Sequence, residues 1–175
     1  MTFAGAKTKM KLIIGLGNIG KAYKNTRHNV GFILLDEYAS QNNLSWKTDK
    51  KAQAKVTQYN DIILAKPQTM MNRSGITAGY LSAYFKIPSE KILLVHDDVD
   101  LAFAQTKLQK GVGPAGHKGV EDVIVSLKTK NFWRFRVGVG RPKNEQIDTE
   151  DWVLSGFSPQ ELDEIKDIQL PIGGY

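Results

Sequence analysis

A short apolar run, Met10–Ile14, breaks off at Gly15, and from Val30 onward apolar residues recur with a different period. A run of five residues, four of them apolar, ending in glycine reads as a buried strand. Val30, Ile33, Leu34 and Tyr38 stand at i, i+3, i+4 and i+8, which predicts a helix over 29–41 with one buried face. This strand-then-helix alternation continues down the chain. Residues 52–59 and 62–65 read as two strands joined at Asn60-Asp61 and closed by Pro67. A helix is expected over 71–85, ending before Pro88. Strands are expected over 91–96 and 103–109, then a helix marked by Val120, Val123, Ile124 and Leu127. In 132–141, Trp133, Phe135, Val137 and Val139 alternate with Arg134, Arg136 and Gly138, so a strand places both arginines on one face. Ser158-Pro159-Gln160-Glu161 is a capping box with proline at the first helical position, opening a short acidic helix. Strands alternating with helices predict an α/β fold: one domain with a mixed, mostly parallel twisted sheet flanked by helices on both faces.

A chain of 175 residues with 41% hydrophobic content suits one domain with a substantial core, expected over 10–175. Residues 1–9 read as a disordered leader or an expression remnant; they lack the apolar stretch of a signal peptide. No run approaches the roughly 18 apolar residues of a membrane span, so a cytoplasmic protein is expected; it is separately expected to be a monomer. The absence of cysteine excludes disulfides, thiolate metal sites and a cysteine nucleophile. The net charge of +6 hides an asymmetry: residues 1–144 carry +13 and residues 145–175 carry −7. The basic body suits a polyanionic partner, although solvated lysines produce the same count.

Gly15-Leu16-Gly17-Asn18-Ile19-Gly20 follows a strand and fits the dinucleotide fingerprint G-x-G-x-x-G, with Asp36 at a suitable distance for a ribose contact. In such a site the helix begins within the glycines. Here Lys21 to His28 are polar and aperiodic, and Asp36 falls inside the next helix. The residues that follow are more specific: Tyr23, then Thr26-Arg27-His28-Asn29 and Gly31. With Met71-Asn72-x-Ser74-Gly75, His96-Asp97-Asp98-Val99-Asp100, Gly116-His117-x-Gly119 and Arg136-Val137-Gly138-Val139-Gly140-Arg141-Pro142, they form five ordered blocks over nearly the whole chain. This pattern resembles the bacterial peptidyl-tRNA hydrolases.

The resemblance implies hydrolysis of the ester joining a peptide to the 3′-terminal ribose of tRNA, releasing tRNA for reuse in translation, with no metal, cofactor or covalent intermediate. It implies His28 as the general base acting on water, Asp97 as the carboxylate that orients it, and Asn18 and Asn72 as amide donors in the pocket. An imidazole suits proton abstraction near neutral pH, a carboxylate sets its tautomer, and neutral amides can stabilise the developing oxyanion. Tyr23, Met71, His117 and Lys118 are expected around the substrate. Lys107 and Arg136 match positions near the tRNA acceptor end; Arg134, Lys110 and Arg141 are further cations able to meet phosphate.

Other readings stay open on the residues themselves. Asp97, Asp98 and Asp100 could hold a divalent cation, and His96 could be structural. No G-x-S-x-G elbow is present for a serine nucleophile, and the three histidines lack H-E-x-x-H spacing. The chain also departs from the family pattern. Lys118 stands where the family has asparagine, and lysine offers a point charge in place of paired amide donor and acceptor. Val112, Pro114 and Ala115 stiffen a glycine-rich loop, Ile19 replaces a proline, and the C-terminal helix is expected to be short. A non-catalytic RNA-binding relative on the same scaffold is the alternative, and a dinucleotide enzyme a more distant one.

Overall fold

The computed structural model describes residues 9–175, and the leader expected at the N-terminus lies almost wholly outside the described residues. The chain forms β1 (Lys11–Gly15), α1 (Val30–Gln41), β2 (Lys47–Asp49), β3 (Ala54–Tyr59), β4 (Ile62–Pro67), α2 (Gly75–Tyr84), β5 (Ile92–Asp98), β6 (Thr106–Lys110), α3 (Lys118–Leu127), β7 (Trp133–Gly138), α4 (Thr149–Leu154) and α5 (Pro159–Lys166). Among the described residues, one seven-stranded sheet runs β2-β3-β4-β1-β5-β7-β6.

The sheet is mixed, as expected, but not mostly parallel. The central pairings β4-β1, β1-β5 and β5-β7 are parallel, whereas the pairings that reach the two edges, β2-β3, β3-β4 and β6-β7, are antiparallel. Parallel neighbours need helical crossovers, and the helices cover only the centre. Period-2 alternation in β1 divides the core: Leu12 and Ile14 pack with Ala78 and Leu81 of α2 and Val120 and Val123 of α3. Ile13 faces the other way, onto Ile33 and Leu34 of α1 and Ile165 of α5. The sheet is therefore flanked on both faces, each fully buried aliphatic side chain contributing about 1.5–3 kcal/mol.

Several boundaries moved for local reasons. The strand expected from 103 starts at Thr106, because residues 102–105 form a turn with Ala104 at φ +62° that bonds to Gly138. The strand expected from Ala52 starts at Ala54 after a turn that places Gln53 at φ +48°. The helix expected over 71–85 is divided into a 3-10 turn at Met71–Arg73 and α2. The edge strand β2 and the short helix α4 had no apolar alternation to announce them. Arg134 and Arg136 do share a face, opposite the core-facing Phe135 and Val137, and neither is freely exposed there: Arg134 is buried and Arg136 half-buried.

Candidate active site

The carboxyl ends of parallel strands β1 and β5, and the 3-10 turn after β4, open into a cleft of about 520 Å³. Crevices at that end of a parallel sheet are the usual ligand sites of α/β folds. Two glycines let the cleft close up. A Cβ on Gly31 would lie 2.3 Å from Val95 O, and one on Gly15 would lie 2.4 Å from Gly31 O. The start of α1 thus lies directly on the backbones of β1 and β5, and the 3-10 turn Arg27–Asn29 just before it carries His28 to Asp97 at the end of β5. Gly31→Ala is expected to destabilise the fold by about 1–3 kcal/mol through overpacking, read as a lower urea midpoint, with activity falling as His28 is displaced.

His28 Nδ1 lies 2.9 Å from Asp97 Oδ1 and 3.0 Å from Oδ2. His117 Nε2 lies 2.8 Å from the same Oδ1. The tautomers follow from the remaining partners. Val120 N–H donates to His117 Nδ1, so His117 donates to Asp97 through Nε2–H. Asp97, ionised, can only accept, so His28 donates through Nδ1–H, and in the neutral imidazole the Nε2 lone pair is left for the cleft. Burial alone would raise the Asp97 pKa, but the His117 and His28 imidazoles outweigh it and hold the carboxyl well below the usual carboxylate range. Neighbouring His96 is different: burial, then His117 and Arg134, push its pKa well below the ordinary value. It lies neutral with Nδ1–H donating to Asp97 O at 2.7 Å.

Asn18 is held on three sides. Its N–H donates to Asn29 Oδ1, its carbonyl accepts from Asn29 Nδ2, and its Oδ1 accepts from Met71 N–H at 2.7 Å. With the carboxamide oxygen occupied, the Nδ2 donor is what Asn18 presents to the cleft. Asn72 is exposed at the rim, Met71 is buried and Tyr23 half-buried, and all three line the cleft with His117 and Lys118. Lys118 and Glu150 of α4 stand 3.4 Å apart across the mouth, with 64% and 72% of their side chains exposed.

The cations expected to meet tRNA are less uniform. Lys107 and Lys110 are exposed on β6, outside the cleft lining. Arg136 is committed to Asp98 through Nε (2.6 Å) and also to Gln109. Arg134 lines the cleft but is 2% exposed. Asp98 pairs with Arg136 and Asp100 with Arg141, so the three aspartates go to separate partners and do not converge as a cation site. Among the described residues, His28, Asp97 and His117 do bring donor atoms within 4.8 Å of one another. Their N···O separations of 2.8–2.9 Å are those of hydrogen bonds; donors sharing a tetrahedral zinc ion stand roughly 3.4 Å apart.

Arg27, unassigned from sequence, has a definite task. It is buried, bonded to Glu161 through Nη2 (3.0 and 3.1 Å), to Gly156 O through Nη1, and lies 3.9 Å from the Trp152 ring. Glu161 also closes the capping box of α5. With Arg27 N–H donating to Ser155 O and Phe157 N–H to Asn25 O, the turn bearing His28 is stitched to the C-terminal segment. Arg27→Ala should cost about 3 kcal/mol, since it strands a partly buried carboxylate; denaturant unfolding would check it.

Over residues 12–171 the chain matches the family model described as Peptidyl-tRNA hydrolase. The chain belongs to the peptidyl-tRNA hydrolase family. It is 40% identical to a peptidyl-tRNA hydrolase of Corynebacterium efficiens, the match covering 88% of this chain and 86% of that protein. A homologue from Rickettsia bellii is 43% identical over 87% of this chain and 83% of its own length. The crystal structure of peptidyl-tRNA hydrolase from Acinetobacter baumannii superposes with a TM-score of 0.82 at 31% identity, covering 93% of this chain and 84% of that one. Among the described residues, no helix is long and apolar enough to cross a membrane.

Proposed function

We propose that this protein hydrolyses the ester of peptidyl-tRNA in the cytoplasm, acting as a monomer, with His28 taking a proton from the attacking water. The observation that carries this reading is the free Nε2 of His28, directed into the cleft by an Nδ1–H bond to buried Asp97. Asp97 sets the tautomer and stabilises the imidazolium as the proton arrives. Asn18 offers Nδ2 to the oxyanion, and Asn72 is the second amide at the same cleft. Met70 and Met71, adaptable and apolar, give peptides of varied sequence a surface to lie on. Lys107 and Lys110 on the exposed β6 edge, with Arg136 behind them, meet tRNA phosphates, so binding weakens with salt.

The deciding experiment is peptide release from purified peptidyl-tRNA. Release by the unaltered chain supports the hydrolase; tRNA binding without release supports a non-catalytic RNA-binding relative. Lys118 is the observation favouring that second reading, since the family pattern has asparagine there. Yet its exposed side chain reaches Glu150 and not the histidines, so Lys118→Asn should change kcat/KM by less than about threefold, within the range of a surface ion pair. A gain of a hundredfold would mean that Lys118 impairs the site.

A further inference from the structure

Among the described residues, the charges lining the cleft are paired, with one exception. Asp97 is bonded to both histidines, Asp98 to Arg136, Asp100 to Arg141, and Lys118 to Glu150. Arg134 stands apart. The residue is 2% exposed, and among the described residues neither Nε nor Nη1 of its guanidinium finds a hydrogen-bond partner. Asp98, the carboxylate that attracts it, is already engaged by Arg136, and burial followed by repulsion from Arg136 lowers the Arg134 pKa to about 10. A buried cation without a counter-charge is costly, and one in the lining of an open cleft is placed to receive an anion.

We propose that Arg134 forms a phosphate subsite in the wall of the cleft, taking a phosphodiester group of the RNA 3′ end beside the reacting ester. The inference rests on the hydrolase reading above and adds the anchoring of the terminal nucleotide. Position favours phosphate over the carboxylate of a released peptide. Arg134 is paired in register with Gln109 of β6, one residue from Lys110 and two from Lys107. Lys107 shares the Arg134 face of the sheet, whereas Lys110 lies with Trp133 on the other, so the subsite continues the Lys107 side of the β6 edge, and a guanidinium bonds phosphate oxygens with several donors at once.

The test compares AMP with adenosine by isothermal titration calorimetry at low, fixed ionic strength, using the unaltered chain, Arg134→Met and Arg134→Lys. AMP should bind the unaltered chain about tenfold more tightly than adenosine, the scale of a hydrogen bond to a charged group. Arg134→Met should lose that difference and Arg134→Lys keep part of it, with inorganic phosphate competing against AMP but not adenosine. Urea unfolding of both variants checks that they fold; replacing a buried unpaired charge by methionine should not lower the midpoint. Equal affinity for AMP and adenosine in the unaltered chain overturns the subsite, as does an AMP preference that survives Arg134→Met. Binding of inorganic phosphate without competition from AMP assigns it to free phosphate, and loss of N-acetyl-amino-acid binding alone assigns it to the product carboxylate; either result overturns the RNA assignment. Peptide release by the unaltered chain is scored separately. Release without an AMP preference sinks the subsite only, and an AMP preference without release sinks the hydrolase reading only.

Discussion

His28→Ala is expected to lower the rate of peptide release from peptidyl-tRNA by about 10²–10⁴-fold, the range for loss of a positioned general base. The reason is geometric. His28 Nε2 is the ring nitrogen that remains for the cleft once Nδ1–H is committed to Asp97. His117 cannot take over, because its Nε2–H points at Asp97 and its Nδ1 accepts from the first turn of α3. The fold should survive: the His28 side chain is 15% exposed, and Asp97 keeps its bond from His117. Single-turnover release with an unchanged urea midpoint is the expected result. A fall of less than tenfold would remove His28 as the base and leave water to be activated elsewhere in the cleft.

Asp97→Asn should reduce release nearly as much, by about 10³–10⁴-fold, and it should also change how stability depends on pH. Both imidazoles bond Oδ1 and His28 also reaches Oδ2; with asparagine the Nδ2 donor at the Oδ2 position faces His28 Nδ1–H, which favours the wrong tautomer of His28. For stability the sign is set by the depressed pKa of Asp97 in the folded state. The unfolded carboxyl titrates near 3.9, so the stabilising contribution is fully present above that value and is lost as pH falls toward the lower folded-state value. Urea unfolding at pH 7, 5 and 3 should show the gap between the unaltered chain and Asp97→Asn holding from pH 7 to 5 and narrowing at 3. A gap that is constant across all three would separate the mutation's effect from the charge.

How far the sequence carries can be read from particular residues. The core of β1, β5 and α1 was legible because each lies in an uninterrupted run whose period matches its backbone: Ile13 and Ile14 point to opposite faces, and Ile33 and Leu34 to one. β2 and α4 were not, since Lys47–Asp49 and Thr149–Leu154 are held by neighbours without a strong period of their own. The parallel bias was overestimated because hydrophobic runs identify strands but not their direction.

At the site, residue types were legible and relationships were not. Motif order selected His28, Asp97, Asn18, Asn72, Tyr23, Met71, His117 and Lys118, and all of them line one cleft. That His28 and Asp97, 69 residues apart, meet at 2.9 Å depends on glycines 15 and 31 allowing three backbones to touch. That His117 turns to Asp97, that Arg27 reaches Glu161 across 134 residues, and that Arg134 is buried in the cleft wall while Arg136 is neutralised are likewise tertiary facts. The sequence by itself determined which chemical groups exist and which faces the strands and helices bury, because both are local properties of residue type and period. Only the tertiary structure decided who pairs with whom, because hydrogen bonds and desolvation depend on distances between segments that the chain's order does not specify.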